Sequence, residues 1–201
     1  MNLRSTGINL VVAGLVLLSG LPPVASAQIQ GPPKKGEARR KSVQVPDFTL
    51  VDQEGKPFSF SSLRGKLALA TFIYTTCPDV CPLLTQKFAR IQQALKTEKG
   101  SDYFLLSIST DPEVDTPKVL KSYGRRFGAD FHTWAFLTAD KKELAKVWEG
   151  FGVKVKKQGQ GQIQHTGLTT LIDRKGIRRV NHYGDKWTEK EILKDIAELG
   201  S

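Results

Sequence analysis

The chain of 201 residues is poor in sulfur: it has two cysteines, Cys77 and Cys81, and one methionine, Met1. Two cysteines cannot supply the several crosslinks of a disulfide scaffold, and a chain of this length buries a core without them. Because Met1 is the sole thioether, a soft metal site built from methionine is disfavoured. Histidine is also scarce and is limited to His132, His165 and His182. Any metal or redox chemistry therefore depends on very few side chains.

The N-terminus lacks an apolar run of the ~20 residues that a membrane-spanning helix needs. Residues 8–21 are mostly apolar, Arg4 precedes them, and the small residues Ala25, Ser26 and Ala27 follow. This order is typical of a secretory signal peptide over residues 1–27, with an uncleaved N-terminal anchor as the alternative. We therefore expect an exported protein, periplasmic or membrane-associated on the extracytoplasmic face.

The net charge of +10 does not come with a basic patch interleaved with aromatic residues, so a nucleic-acid partner is not expected. Part of the charge lies in residues 28–45, which combine a lysine and arginine cluster with Pro32, Pro33 and Gly36. This composition predicts a flexible basic linker. Its charge can hold the protein near an anionic membrane surface, and a solvated tether is the simpler alternative.

The motif Cys77-Pro-Asp-Val-Cys-Pro82 lies between an apolar run at residues 67–74, typical of a buried strand, and a helix predicted over residues 83–97. Pro82 suits the first position of that helix, and it disfavours helical geometry at Cys81. Both sulfurs are then near a helix N-terminus, where thiolate is favoured. A structural disulfide would close only a very short loop and gain little stability. Disulfide exchange and soft-metal binding therefore remain as the two functions of this pair, which is also close enough in sequence to form a redox disulfide.

Residues 46–201 are predicted to form one domain with the order hairpin, β, α, β, α, β, α, β-hairpin, α. Two capping boxes, from Asp140 to Glu143 and from Thr188 to Glu191, mark helix starts. This order predicts an α/β fold: a thioredoxin-like mixed sheet, mostly parallel and flanked by helices, with an N-terminal β-hairpin extension. The cysteine motif then lies beyond the carboxyl end of a strand, where ligands bind in such sheets.

His165 follows a glycine- and glutamine-rich stretch at residues 156–162, predicted to be flexible, and precedes a strand at residues 168–173. In a thioredoxin-like sheet this strand lies beside the cysteine motif. Two thiolates and one imidazole suit Cu(I) and, with the histidine bound, Cu(II). An exposed loop histidine is the alternative, and His132 and His182 are interpreted as ordinary surface residues. Thioredoxin-like oxidoreductases usually carry a proline before this strand, and its absence here favours metal binding over exchange.

The sequence resembles the Sco/SenC family of copper-binding, thioredoxin-like proteins over nearly all of residues 46–201. Residues 72–82, which contain both cysteines and their flanking prolines, resemble the family's Cys-x3-Cys copper motif, and residues 109–117 resemble its second signature. The resemblance implies that Cys77, Cys81 and His165 bind one copper ion. It also implies a role in assembling the binuclear copper (CuA) centre of cytochrome c oxidase.

Two acidic residues of the second signature have different predicted roles. Asp111 matches a family acidic residue proposed to support the site or the partner contact, with a turn or cap residue as the alternative. Asp115 is more simply a cap for the helix at Pro117. The sequence departs from the family at Gln164, where an aspartate often precedes the histidine, so the family pattern leaves the orientation of His165 open.

Three functions are compatible with these residues. The leading interpretation is a copper metallochaperone, a binding protein and not an enzyme, whose partners are the cytochrome c oxidase copper subunit, an upstream copper donor and a thiol reductant. The second is a thiol-disulfide oxidoreductase that keeps the copper-site cysteines of a client reduced. The third is a peroxidase or redox sensor with Cys77 as the nucleophile, which residues 75–77 suggest only faintly.

Overall fold

The computed structural model describes residues 39–97 and 102–200, so residues 1–27, predicted to be a signal peptide, lie outside the described residues. In chain order the strands are β1 Arg39–Gln44, β2 Thr49–Val51, β3 Pro57–Ser59, β4 Leu67–Ile73, β5 Tyr103–Ser109, β6 Trp134–Leu137, β7 Val155–Lys157, β8 Ile163–His165, β9 Leu168–Ile172 and β10 Ile177–Tyr183. The helices are α1 Val80–Thr97, α2 Pro117–Arg126, α3 Lys141–Phe151 and α4 Glu189–Gly200, with 3-10 turns at Phe60–Leu63 and Gly159–Gly161. None of the helices within the described ranges is both long and apolar enough to cross a membrane.

Six strands form the central sheet in the order β1-β10-β9-β4-β5-β6, while β2 with β3 and β7 with β8 form separate two-stranded sheets. Strands β4, β5 and β6 are parallel to one another. Strand β9 is antiparallel to β4, and β10 and β1 continue the antiparallel part. The predicted mixed sheet with an N-terminal hairpin is confirmed. The expectation of a mostly parallel sheet is wrong, because three of the five pairings are antiparallel.

The domain includes strand β1 and therefore begins before the predicted boundary at Pro46. Arg39 is opposite Asn181 and Gln44 is opposite Ile177, and the next residue, Val45, is 1% exposed. The composition of residues 28–45 indicated only a linker. Main-chain hydrogen bonds hold this strand, and they do not require the alternation of apolar residues by which a strand is recognised in a sequence. The linker prediction is therefore corrected for Arg39–Gln44.

Alternation along the buried strand β4 divides the core into two layers. Leu67, Leu69 and Ile73 face a layer covered by α1, α2 and α4. Ala68, Ala70 and Phe72 face a second layer covered by α3 and the β2–β3 hairpin. Because all seven residues of β4 are buried, the strand that leads to the cysteine motif is fixed on both faces.

The helix starts differ from the sequence prediction at two places. Helix α1 begins at Val80 and includes Cys81. Pro82 is tolerated as its third residue, because the first four N–H groups of a helix have no internal partner. Helix α2 is capped by the hydroxyl of Thr116, which accepts from Val119 N, so the cap predicted at Asp115 is wrong. The caps at Asp140 and Thr188 are confirmed.

Candidate metal centre

The cysteine motif begins where β4 leaves the sheet. Cys77 N donates to Tyr74 O at 3.2 Å, which closes a tight turn after the strand. Three residues later α1 starts, so Cys77 is in the turn and Cys81 is in the first turn of the helix. Cys81 is 1% exposed and packs in the core layer under α1, whereas Cys77 is half-buried. The strand and the helix therefore hold the two sulfurs in unequal environments.

Asp115 ties this turn to the neighbouring strand. Its Oδ1 accepts from Thr75 N at 3.1 Å and from Thr75 Oγ1 at 2.6 Å, and its Oδ2 accepts from Ser109 Oγ at 2.6 Å. Burial raises the pKa of Asp115, and the three donors oppose that shift by stabilising the carboxylate. Sequence reasoning missed this role, because an acid just before Thr-Pro is typical of a helix cap.

The two thiols differ strongly in acidity. The thiol of Cys81, the N–H groups of Cys81 and Asp79, and the hydroxyl of Tyr74 all stabilise the sulfur of Cys77 and lower its pKa to about 5. Cys81 N lies 3.5 Å from Cys77 Sγ. The hydrogen bond to Cys77 and burial raise the pKa of Cys81. At neutral pH the reduced pair is one thiolate, on Cys77, and one thiol, on Cys81, that donates to it.

His165 ends β8 and is partly buried. Its Nδ1 lies 3.1 Å from Thr166 O, and since a carbonyl only accepts, Nδ1 carries the proton. The lone pair is then on Nε2, the nitrogen that can bind a metal. Burial lowers the pKa of His165, which keeps the ring neutral at neutral pH. The Thr166 carbonyl thus supplies the orienting contact that the departure at Gln164 left open.

Tyr74 connects the two sides of the site, and sequence reasoning did not single it out. Burial and the sulfur of Cys77 raise the pKa of its hydroxyl, and the backbone of Ile163, on the strand that carries His165, opposes that rise. Its ring meets the ring of His165 edge-on, with the centroids 6.1 Å apart. Its position one residue after β4 was the only available signal, and that signal did not distinguish it from a core tyrosine.

Cys77, Cys81 and His165 line one open cleft of about 420 Å³. Its other walls are residues of the cysteine motif, the β8–β9 turn and the turn after β10, namely Tyr74, Pro78, Asp79, Val80, Gln162, Ile163, Gln164, Gly167, Gly184 and Asp185. Within the described ranges no three His, Cys, Asp or Glu side chains are close enough to form a ready-made metal cluster. The fold brings the three predicted ligands to one cleft but not into a closed coordination geometry.

The stretch predicted as a flexible loop is a hairpin. Val155 is opposite His165 and Lys157 is opposite Ile163, with a 3-10 turn between them. Ile163 is 7% exposed and packs in the same layer as Cys81, which anchors the hairpin. The glycine- and glutamine-rich composition hid a pairing that is made by main-chain hydrogen bonds.

The structure also tests the predicted exposure of His132 and His182 and gives the position of Asp111. His132 is 96% exposed and pairs with Asp130, as expected of a surface residue. His182 is 2% exposed and its Nε2 lies 2.8 Å from Asp195 Oδ2, so its assignment to the surface is wrong. Asp111 is buried and its carbonyl accepts from Asp115 N at 2.8 Å. It does not line the cleft, and its support or partner role stays a prediction.

The fold and the site together define a thioredoxin-like domain that carries a thiolate, a thiol and a neutral imidazole around one cleft, a donor set that suits a soft metal. Residues 36–201 match the SCO1/SenC family. The SCO1 protein homolog of Bacillus subtilis is 34% identical over 162 residues, which cover 79% of this chain and 83% of that protein.

Two solved structures extend the comparison. BsSco, described as a member of the Sco family of cytochrome c oxidase assembly proteins with a disulfide switch, matches with a TM-score of 0.70 and 31% identity over 80% of this chain and 95% of that one. ScoI of Bradyrhizobium japonicum, solved with copper bound, matches with a TM-score of 0.65 and 32% identity over 78% and 99%. The chain belongs to the SCO1/SenC family, whose members are copper-binding proteins involved in cytochrome oxidase assembly.

Proposed function

We propose that the protein is a metallochaperone that binds one copper ion through Cys77, Cys81 and His165 and delivers it to the CuA centre of cytochrome c oxidase. The observation that carries the proposal is the meeting of these three side chains in one cleft. The Cys77 thiolate and the Nε2 lone pair of His165 are ready to bind at neutral pH. Copper is the cargo here, and the donor set of two sulfurs and one imidazole fits it.

The two cysteines enter binding differently. Cys77 offers its thiolate without losing a proton, whereas Cys81 must release its proton to solvent when it becomes a ligand. Because the Cys81 proton stabilises the Cys77 thiolate in the free protein, binding exchanges that proton for the cation. The Thr166 carbonyl keeps the proton of His165 on Nδ1, and the ring of Tyr74, three residues before Cys77, packs edge-on against the ring of His165.

A second candidate function uses the same residues. A thiolate with a pKa of about 5 beside a protonated, buried thiol is the asymmetry of an exchange dithiol. In that function Cys77 attacks a client disulfide, forms a mixed disulfide and releases one client thiol, and Cys81 then displaces the second. Two thiols here become one disulfide while one client disulfide becomes two thiols. The client would be the oxidase copper site before metal loading.

The location of this function follows from the N-terminal pattern. The signal-peptide composition of residues 1–27 supports export to the extracytoplasmic side, periplasmic or at the membrane, where the oxidase copper subunit is the proposed partner. An upstream copper donor and a thiol reductant are the other partners the proposal needs, because the cleft must be filled with copper and its cysteines kept reduced.

The test is copper stoichiometry of the purified, reduced protein under low oxygen. Wild type should bind one Cu(I) per chain, and Cys77→Ala and Cys81→Ala should lose tight binding. His165→Ala should weaken Cu(II) retention more than Cu(I) binding, whereas His132→Ala, which removes an exposed histidine, should change neither. One equivalent of copper bound at wild-type affinity by the double cysteine variant would refute the assignment.

Oxidase assembly in cells separates the two candidates. His165→Ala removes a copper ligand but leaves both thiols, whereas Cys77→Ser removes the thiolate. The metallochaperone proposal expects both variants to fail in assembly. If His165→Ala assembles the oxidase as well as wild type while Cys77→Ser does not, thiol exchange is the function.

A further inference from the structure

A groove of about 530 Å³ lies on the α2 side of the cysteine motif. It is lined by Thr75, Lys118, Val119, Ser122, Tyr123 and Arg126. Thr75 is two residues before Cys77, and its main chain and hydroxyl are held by Asp115. The groove therefore adjoins the metal centre through a fixed wall but shares none of the residues that line the copper cleft.

The charged residues that line the groove, Lys118 and Arg126, are both positive. Helix α2 carries four cations, Lys118, Lys121, Arg125 and Arg126, and no acidic residue. Both Lys118 and Arg126 are exposed, and neither forms an ion pair with any residue of the described ranges. Nearby Lys121 and Lys157 are paired with Glu54 and Glu113. Among the α2 cations, Lys118, Arg125 and Arg126 have no ion pair within the described ranges, and two of these three, Lys118 and Arg126, line the groove.

The groove is preorganised, because its floor is bonded to the cysteine helix. Tyr123 is 2% exposed and its hydroxyl lies 3.0 Å from Thr85 Oγ1, which itself donates to Cys81 O at 2.8 Å. The guanidinium of Arg126 lies 5.3 Å from the ring centroid of Tyr123. A stacked guanidinium keeps its N–H groups free for a carboxylate and loses little side-chain freedom on binding.

We propose that this groove is a docking site for an acidic segment of the protein that receives the copper. The inference rests on the proposed function for the identity of that partner. The two unpaired cations and the apolar floor of the groove complement a partner segment in which carboxylates lie beside an apolar side chain. A partner that docks there lies next to Cys77. A lipid surface fits less well, because the cations line a recess between α2 and the Thr75 turn. Such charges mainly raise the rate of association and make it depend on salt.

The first experiment uses an acetylated hexaglutamate peptide as the probe and follows backbone amide shifts of the purified apo protein. We expect shifts at Thr75, Lys118, Val119 and Ser122 that disappear at high salt. The double variant Lys118→Glu/Arg126→Glu should bind about tenfold more weakly. The variant Lys118→Gln/Arg126→Gln, which keeps the helix free of added acids, should fall between the two.

A matched control changes the net charge equally at the other end of the sheet. Lys66 precedes β4 and Lys175 is in the β9–β10 turn, both are exposed, and Ala68 opposite Ile172 places them at the edge away from the cysteines. Lys66→Glu/Lys175→Glu should bind the peptide within about twofold of wild type. Equal weakening in both pairs, or shifts centred outside the groove, would overturn the proposal.

The second experiment measures copper transfer from the loaded protein to the apo CuA domain of oxidase subunit II. The groove variant should load copper like wild type but transfer it about tenfold more slowly at low salt, with the difference lost at high salt. Unchanged transfer would overturn the docking proposal and leave the proposed function standing. If wild type itself transfers no copper, the proposed function fails, and the peptide experiment alone then decides the groove. Binding of anionic phosphatidylglycerol vesicles that is lost in the groove variant, without peptide binding, would assign the groove to a membrane and also overturn the proposal.

Discussion

The two walls of the cleft that is lined by Cys77, Cys81 and His165 are built differently. The cysteine wall joins a strand of seven buried residues to an 18-residue helix, and Asp115 ties it to β5 with three hydrogen bonds. The histidine wall is a hairpin of three-residue strands outside the central sheet. An exposed ion pair, Lys157 with Glu113, connects that hairpin to the loop after β5, and such pairs contribute little.

This difference suggests a division of roles. Cys81 is part of the core and Cys77 packs against it, so in the proposed function these two residues would set the affinity for copper. His165 contacts Thr166 O and the ring of Tyr74, and its hairpin is anchored by the buried Ile163, so in the proposed function the histidine would be the ligand that withdraws at release. A carrier needs both properties, because it has to hold its cargo and then release it.

Oxidation should have the largest effect on copper binding, because it changes the cysteine wall and leaves the histidine wall as it is. A disulfide between Cys77 and Cys81 would remove both sulfur ligands at once, provided that their β-carbons approach to ~4 Å. We expect the oxidised protein to lose Cu(I) binding, and copper titration across glutathione potentials measures this. Unchanged affinity after oxidation would show that the site is not gated by redox state.

Asp115→Ala should have the next largest effect. The change leaves Thr75 N, Thr75 Oγ1 and Ser109 Oγ without their acceptor, at a cost of about 2–4 kcal/mol in the free energy of unfolding. Urea denaturation measures it. Asp140→Ala, which removes the cap of an exposed helix start, should cost about 1 kcal/mol. Equal costs would mean that Asp115 is an ordinary cap after all.

The two thiols of the cysteine wall should differ in their reactivity with pH. Iodoacetamide should modify Cys77 in the apo protein with a rate that rises around pH 5 and then levels off, while Cys81 stays unmodified. Tyr74→Phe removes a donor to the Cys77 thiolate and should move the midpoint to higher pH. Tyr103→Phe, a buried tyrosine that bonds Gln92 O, is the control and should leave it in place. A midpoint near pH 9 in wild type would contradict the account.

The smallest expected effect is on the histidine wall. Lys157→Ala removes the ion pair to Glu113 and should lower the protection of the β7–β8 hairpin against hydrogen exchange by less than about 1 kcal/mol. Copper should slow exchange in the same hairpin in both proteins. Lys146→Ala, which breaks another exposed pair on α3, should leave the hairpin unchanged. Equal exchange with and without copper would mean that His165 is already in place or is not a ligand.

The sequence predicted the parts of the site that depend on local order. The strand before Cys77, the helix after it and the strand after His165 follow from apolar runs and a proline, and these suffice to put three side chains at one edge of a sheet. What it did not reveal depends on distant partners. Asp115 accepts hydrogen bonds from Thr75, which is 40 residues earlier in the chain, and His182 is buried against Asp195 on α4.

Strands that are held mainly by main-chain hydrogen bonds were also not predicted from the sequence. Strand β1 and the β7–β8 hairpin are formed from basic or glycine- and glutamine-rich segments, which have neither apolar alternation nor branched residues in quantity. Their hydrogen bonds use backbone groups that every residue has, so composition pointed to a linker and a loop. Strand β1 pairs with β10, which is distant in sequence, whereas β7 and β8 pair with each other and are anchored by the buried Ile163.

X-ray absorption of the copper-loaded protein counts the sulfur and nitrogen atoms bound to the metal. We predict two sulfur neighbours and one nitrogen neighbour in wild type, with the nitrogen lost in His165→Ala and retained in His132→Ala. Both sulfurs should remain in each histidine variant. A wild-type spectrum with fewer than two sulfur neighbours, or a nitrogen that persists in His165→Ala, would contradict the site formed by Cys77, Cys81 and His165.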